Sequence, residues 1–327
     1  MKVSFVIPLF NGLPLTQAML ASLQSTLPAG LDHEIIFVDD GSTDGTRAWL
    51  KNPTAHCRAL LNERNLGFAS TCNRGAAMAS GELLFFLNND LVLLPGWLEP
   101  MLAAFTRFHR AGLVGNVQLN FSTGAIDHTG IFFDQKGKPT HDTRRGFSAH
   151  RKADAVTGAC FGIRRTVWRQ LGGFDEGYIN GCEDVDLCLR ARAAGFINLV
   201  AVRSVVRHHI SASVGRKRRD EQNTARLHQR WRMAIIPRIL KGCSKLCLAS
   251  AWDEPRNFSD PTLARHAFLH LCGLLPWRTS VLMSAAGALL NVEQARWKHL
   301  FDGVPLPPER ETAWQFFPVT PEDPPVF

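Results

Sequence analysis

Four short strings in this chain hold residue types that could do chemistry. Asn88-Asn89-Asp90 ends in a carboxylate able to hold a hard divalent cation, which can bridge two phosphate oxygens. The same string also reads as a polar turn, with Pro95-Gly96 just beyond it. Asp39-Asp40-Gly41-Ser42-Thr43-Asp44-Gly45-Thr46 offers acceptor-only carboxylates suited to a ribose hydroxyl or a base N–H. Ser42 or Thr43 there can cap a following helix, and the string equally fits ordinary turn chemistry. Glu183-Asp184-Val185-Asp186 opens a helix, where acids complement the macrodipole. One of them aimed into a crevice could instead act as general base on an attacking hydroxyl. His208-His209, with Ser211, Ser213 and Arg216-Lys217-Arg218-Arg219 after it, could complete a metal shell and neutralise a departing diphosphate, or could simply be exposed.

The elements that must position these strings follow from hydrophobic periodicity. Apolar runs at 3–7, 34–38, 57–61 and 83–87 alternate with helical patterns near 14–26, 43–51 and 68–79. This is the rhythm of βαβ units with a mostly parallel, doubly covered sheet. Three of these strands end in polar residues: Pro8-Leu9-Phe10-Asn11, Asp39 to Ser42, and Asn88 to Asp90. Ligands of open α/β sheets bind outside the carboxyl ends of the strands, so the three clusters converge on one crevice. From 113 to 165 the pattern turns to short β-like pieces, with Gly137-Lys138-Pro139 and His141 to Lys152 read as an exposed loop. A helix near 166–171, the loop Gly172 to Gly177, a helix from Glu183 to about Gly195 and a strand at 197–207 follow.

The C-terminal third reads differently. Ser259-Asp260-Pro261 starts one helix, Pro276 interrupts it, and a second is expected from Thr279 to about Phe301. His270, Pro276 and Arg278 break the best apolar stretch, so no membrane span is expected. Seven prolines after Gly303 make an extended tail.

Composition narrows the class. The net charge of +8 is concentrated between Arg203 and Lys245, where twelve Lys and Arg meet only Asp220 and Glu221. That segment suits phosphates or a peripheral contact with a membrane surface, or is a solvated helix face. No nucleic-acid-binding motif is recognisable, so nucleic acid is not expected as a partner. Eight cysteines without C-x-x-C or zinc-finger spacing, and an early apolar run stopped by Pro8, point to reduced thiols and a cytoplasmic setting, peripheral at most on the inner membrane. The absence of G-x-G-x-x-G, Walker, H-E-x-x-H and G-x-S-x-G strings counts against dinucleotide, ATPase, zinc-protease and serine-hydrolase chemistry.

Taken in order, Val6-Ile7-Pro8-Leu9-Phe10-Asn11, Val38 to Thr46, Asn65-Leu66-Gly67-Phe68-Ala69, Asn73-Arg74-Gly75, Ser80-Gly81-Glu82 and Leu87 to Asp90 resemble glycosyltransferase family 2. Gly158-Ala159, Gly172-Gly173-Phe174-Asp175-Glu176 and Glu183 to Asp186 extend the resemblance over about residues 1–215. It implies a GT-A fold, an α/β architecture with a Rossmann-like nucleotide-binding half (1–112) and an acceptor-binding half (113–215). A basic, helical extension (216–302) and a Pro-rich tail (303–327) would follow. It implies an inverting transfer from a nucleotide-diphosphate sugar to a saccharide or lipid-linked acceptor, and the Asn-Asn-Asp form is most similar to rhamnosyltransferase-type members of bacterial surface polysaccharide synthesis.

Carried over by position, Pro8, Asp39 and Asp40 would hold the nucleoside. Asn11, Asn65, Gly67, Asn73, Asn88 and Asn89 would line the donor side. Asp90 would bind Mn²⁺ or Mg²⁺ with His208, or His209, as its partner. Asp184 would be the base, with Glu183, Gly158 and Trp97 in the acceptor site. Many relatives carry two carboxylates in the metal string, where this chain has Asn88 first. A nucleotidyltransferase would place a Gly-rich loop with a basic residue where Pro8 to Gly12 stands, and a non-catalytic binding scaffold would not need both Asp90 and Asp184.

Overall fold

The protein is described by a computed structural model that covers residues 1–51, 56–209, 216–253, 261–275 and 279–304. In chain order the first half comprises β1 (Val3–Leu9), α1 (Leu13–Thr26), β2 (His33–Asp39), α2 (Thr46–Trp49), β3 (Cys57–Leu61), α3 (Phe68–Met78), β4 (Leu83–Leu87), β5 (Leu91–Leu93) and α4 (Leu98–Arg107). Next come β6 (Ala111–Asn120), β7 (Ile126–His128), β8 (Ile131–Phe133), β9 (Pro139–His141), β10 (His150–Lys152), β11 (Cys160–Arg164), α5 (Arg165–Leu171), α6 (Glu183–Ala193) and β12 (Ile197–His208). Three helices end the described chain: α7 (Arg216–Asp253), α8 (Pro261–Leu271) and α9 (Ser280–Asp302).

The main sheet runs β10-β12-β6-β11-β4-β1-β2-β3, with β5 added on β12 and β7 on β6. β1, β2, β3 and β4 are mutually parallel, as the βαβ rhythm requires. β11 enters antiparallel between β4 and β6 and joins the two halves into one sheet. Leu83-Leu84-Phe85-Phe86-Leu87 is buried at every position because β4 is central and covered on both faces. Successive side chains leave a strand on opposite faces. Phe85 therefore packs with Phe5, Trp97 and Phe105 on one side. Phe86 packs with Phe161, Trp168 and Phe174 on the other. α3 lies so close to the sheet that a Cβ at Gly75 would stand 2.5 Å from Val6 Cγ1. Only glycine allows that approach.

Two compact units divide the chain, Met1–Phe132 with His141–Asn223, and Phe133–Thr140 with Thr224–Phe327. The second division falls inside α7. In the second unit α7 buries Leu227, Ile235, Ile239, Cys243 and Cys247, while α9 buries Leu282, Ala286, Leu290 and Trp297. His228 donates from Nε2 to Gly137 O at 2.8 Å and meets the Trp297 ring edge-on. α9 starts at Thr279, whose Oγ1 accepts from Leu282 N, and stops at Gly303 in a left-handed conformation.

Several expectations need correction. Residues 137–152 are not a single exposed loop. They hold β9 and β10, and between them a buried Asp142 accepts from Arg144 and from Arg151 Nη1 at 2.8 Å. The helical pattern near 43–51 shrinks to four residues. α4 and the 38-residue α7 are additions that hydrophobic periodicity in the sequence had not separated. Residues 210–215, with Ser211 and Ser213, the side chains of Arg216 to Arg218, and the tail from 305 lie outside the described residues. Among the described residues no helix is long and apolar enough to cross a membrane.

Candidate active site

The carboxyl ends of β1, β2 and β4 lie side by side, and their polar strings bond to one another. Asn11, in a left-handed backbone conformation after β1, accepts at Oδ1 from Thr43 N at 2.8 Å and donates from its own N–H to Ser42 Oγ at 2.8 Å. Asn89 Nδ2 then donates to Asn11 O and to Thr16 Oγ1 at 3.0 Å. Asn88 N donates to Ala159 O at 2.8 Å, which ties the 88–90 turn to the residue before β11. Pro8, within β1, remains partly exposed at this rim.

The Asp39-Asp40 pair, expected to hold the nucleoside, is bonded into the loops that follow β2 and β3. Asp39 is completely buried. Its carboxylate accepts from Gly41 N and Ser42 N and pairs with Arg47 Nε at 3.6 Å. Asp40 accepts from Asn62 Nδ2 at 2.9 Å and Leu66 N at 2.7 Å on one oxygen, and from Gly67 N at 3.0 Å on the other. These carboxylates brace the two loops and so shape the rim. Gly41, at φ 81°, lets the 64–65 backbone pass where a Cβ would stand 2.8 Å from Asn65 N. Asn65 in turn accepts from Gly67 N, which has φ 87°. Asn73, on α3, reaches the loop before α6 instead of open space. It accepts from Phe174 N at 2.8 Å and donates to Phe174 O and Glu176 Oε1.

Asp90 and His208 meet where β12 ends. His208 pairs with Leu91 across β12 and β5, which puts Nε2 of His208 3.1 Å from Asp90 Oδ1. That approach lacks hydrogen-bond alignment, and Asp90 Oδ1 is buried with no hydrogen-bond donor. An acceptor oxygen and an imidazole nitrogen that face each other without a bond between them fit a divalent cation. His209 takes another role, stacking on Phe121 at 3.6 Å and donating from its backbone N–H to Asp90 O. Among the described residues no three His, Cys, Asp or Glu side chains gather as a ligand group. A cation at this pair would draw its remaining ligands from solvent or substrate.

The three acids of α6 separate by environment. Asp186 is fully buried and pairs with Arg190 one turn on, at 2.7 Å. Glu183 is buried and accepts from Gly181 N at 2.6 Å, holding a turn in which Asn180, Gly181 and Cys182 all have positive φ. Asp184 alone is partly open. Its Oδ2 accepts from Gly158 N at 2.6 Å and Oδ1 from Val185 N. Burial pushes its carboxyl above the ordinary range, against these two bonds and the nearby His141. Gly158 stands beside Ala159, which holds the 88–90 turn, so the Asp90 and Asp184 segments flank one corner of the sheet.

Trp97 is not in an acceptor site. It is completely buried, packs against Phe5 and Phe85, and donates from Nε1 to Thr26 Oγ1. His128 is the residue that sequence reasoning passed over. It is fully buried, and burial, with His141, Arg151 and His208 nearby, lowers its pKa well below the ordinary value. The neutral ring accepts at Nε2 from Gly130 N and Thr157 N, and so braces the backbone that offers Gly158 N to Asp184. A lone histidine in a three-residue strand carries no signal that could have revealed this.

A mixed sheet with polar strings at the carboxyl ends of its parallel strands is the architecture of the GT-A fold. The model for glycosyl transferase family 2 matches residues 4–172, and the chain belongs to that family. It is 32% identical over 228 residues to the O-antigen biosynthesis protein RfbC of Myxococcus xanthus, covering 65% of this chain and 18% of that protein. It is 28% identical over 232 residues to the N-acetylglucosaminyl-diphospho-decaprenol L-rhamnosyltransferase of Mycobacterium tuberculosis, covering 62% of this chain and 74% of that one. The chain therefore spans less than a fifth of the length of the Myxococcus relative. Among solved structures, GalNAc-T7 with UDP, GalNAc and Mn²⁺ superposes with a TM-score of 0.60 at 19% identity, over 94% of this chain and 59% of that one. At that identity the likeness is one of fold.

Proposed function

We propose that this chain catalyses inverting transfer of a sugar from a UDP- or dTDP-linked donor to a hydroxyl of a saccharide or lipid-linked saccharide, in polysaccharide synthesis. The observation that carries the reading is the pair of unlike carboxylates at one sheet corner. Asp90 keeps a buried oxygen unbonded beside His208 Nε2, and Asp184 is partly open with a raised pKa. The mycobacterial relative's name, a rhamnosyltransferase acting on a diphospho-decaprenol-linked sugar, supports a lipid-linked acceptor.

Asp184 takes the proton of the acceptor hydroxyl as that oxygen attacks the anomeric carbon. The new C–O bond forms on the face opposite the diphosphate, whose bond breaks with its electron pair, so configuration inverts. Gly158 N and Val185 N hold the carboxylate in place. A raised pKa makes it a stronger base than an exposed aspartate. Asp90 and His208 would hold Mn²⁺ or Mg²⁺, which when bound supplies positive charge against the leaving diphosphate.

Asp184→Asn tests the assignment with radiolabelled nucleotide sugars and lipid-linked acceptors. Loss of a positioned base costs about 10²–10⁴-fold in rate, while stabilisation by UDP or dTDP with Mn²⁺ in thermal unfolding persists. The rising limb of the wild-type pH–rate profile lies above the ordinary aspartate value of 3.8. Wild-type turnover in Asp184→Asn sinks the reading.

A further inference from the structure

Between residues 224 and 252 the chain carries Arg226, Arg230, Arg232, Arg238, Lys241 and Lys245 and no acidic residue. This stretch is the body of α7. Its buried side, Leu227, Ile235, Ile239, Cys243 and Cys247, accounts for the packing of the helix. Arg232 is turned to α9, where it donates to Gly287 O and Asn291 Oδ1 at 2.7 Å.

The opposite face carries a stripe broken once, at buried Pro237. Arg226, Arg230 and Met233 are exposed before it, and Lys241, Lys245 and Trp252 after it, at steps of three, four or seven residues. At about 1.5 Å per residue the stripe is roughly 40 Å long. Met233 is 73% exposed and Trp252 86% exposed, large apolar areas for a face whose other members are cations.

We propose that this stripe docks α7 on the headgroup region of an anionic phospholipid bilayer, lying in the plane of the surface. Cations along one line meet the negative surface potential of such a membrane. Trp and Met between them are what an interfacial helix inserts at the headgroup boundary. A nucleic-acid backbone would accept the cations equally, but it leaves Met233 and Trp252 without a counterpart. The inference is independent of the transferase reading, because it uses only the C-terminal unit and needs no turnover.

The experiment is co-sedimentation of the full chain with vesicles of phosphatidylglycerol and phosphatidylcholine, against phosphatidylcholine alone. Binding appears only with the anionic lipid and weakens with added salt. Each lysine at an anionic surface strengthens binding about fivefold, so Lys241→Gln with Lys245→Gln weakens it about 30-fold. Brominated lipid quenches part of the tryptophan emission, and Trp252→Phe removes that part. Both variants alter exposed positions and keep the unfolding midpoint, which separates lost docking from lost fold. Equal binding to both vesicle types, an unchanged affinity in the double variant, or binding to duplex DNA without binding to lipid overturns the proposal.

Discussion

Asp40→Ala separates a rim-building carboxylate from a nucleoside-binding one. Three donors converge on Asp40: Asn62 Nδ2, Leu66 N and Gly67 N. Two of them keep a second acceptor after the substitution, since Asn62 Nδ2 also reaches Thr71 Oγ1 at 3.2 Å and Gly67 N also reaches Asn65 Oδ1 at 3.2 Å. Leu66 N loses its bond outright. Hydrogen bonds to a charged acceptor contribute about 1.5–3 kcal/mol each. Water can reach the exposed 63–66 backbone and recovers part of that. The net loss is therefore about 2–4 kcal/mol, a fall in melting temperature on the order of 10 °C for a domain of this size. Denaturant unfolding measures the stability, and calorimetric titration with UDP or dTDP measures the site. The expected outcome is destabilisation, with weakened nucleotide binding that follows from it. An unchanged unfolding midpoint with nucleotide binding lost would refute it and restore a direct contact.

Other substitutions test other parts of the molecule. Trp97→Ala removes a fully buried ring and costs about 3–5 kcal/mol in denaturant unfolding; a stable variant with altered acceptor use would return Trp97 to the acceptor site. His208→Ala raises the Mn²⁺ concentration needed for UDP-dependent thermal stabilisation by about tenfold or more, whereas His209→Ala, whose ring stacks on Phe121, leaves it near wild type. Equal effects of the two substitutions would contradict the Asp90–His208 geometry. Burial alone would raise the pKa of Glu34, but bonds from Ser4 Oγ, Ser80 N and Ser80 Oγ outweigh it and bring it from 4.5 to about 2. A depressed carboxylate stabilises above its unfolded pKa and loses that contribution as pH falls through the folded value. Roughly 3 kcal/mol thus disappears between about pH 4.5 and 2, and Glu34→Gln should flatten that part of the stability curve.

The parallel half of the sheet was legible because its strands are continuous apolar runs and its site strings fall at their ends. Val3–Leu9 and Leu83–Leu87 could hardly form anything else. The 38-residue α7 was hidden because its charges dominate its composition, and the buried series from Leu227 to Cys247 has to be counted at helical spacing to emerge. β9 and β10 are three residues each, too short for a periodic signal, and β10 owes its form to a partner far along the chain, His150 pairing with Ala201. At the site, residue type pointed to Asp90, Asp184 and His208. It could not tell an aspartate facing a crevice from one facing its own loop, because hydrogen-bond direction is decided by tertiary contacts. Asp39, Asp40 and Asp186 are indistinguishable in kind from Asp184 in the sequence, and burial separates them, since Asp184 is partly exposed and the other three are buried.

The position of β11 has a bearing on how this sheet can be made or exchanged. β4 is bordered by β1 on one side and by Cys160–Arg164 on the other. A polypeptide ending after residue 112 would contain every strand of the parallel half, β1 to β4, yet leave the fully buried β4 with an open edge. Such an edge is a template for pairing with other chains. During synthesis the middle of the sheet must wait until the segment around residue 160 has emerged. In recombination, residues 1–112 cannot travel as a cassette; the smallest transferable block with a sealed β4 reaches Arg164.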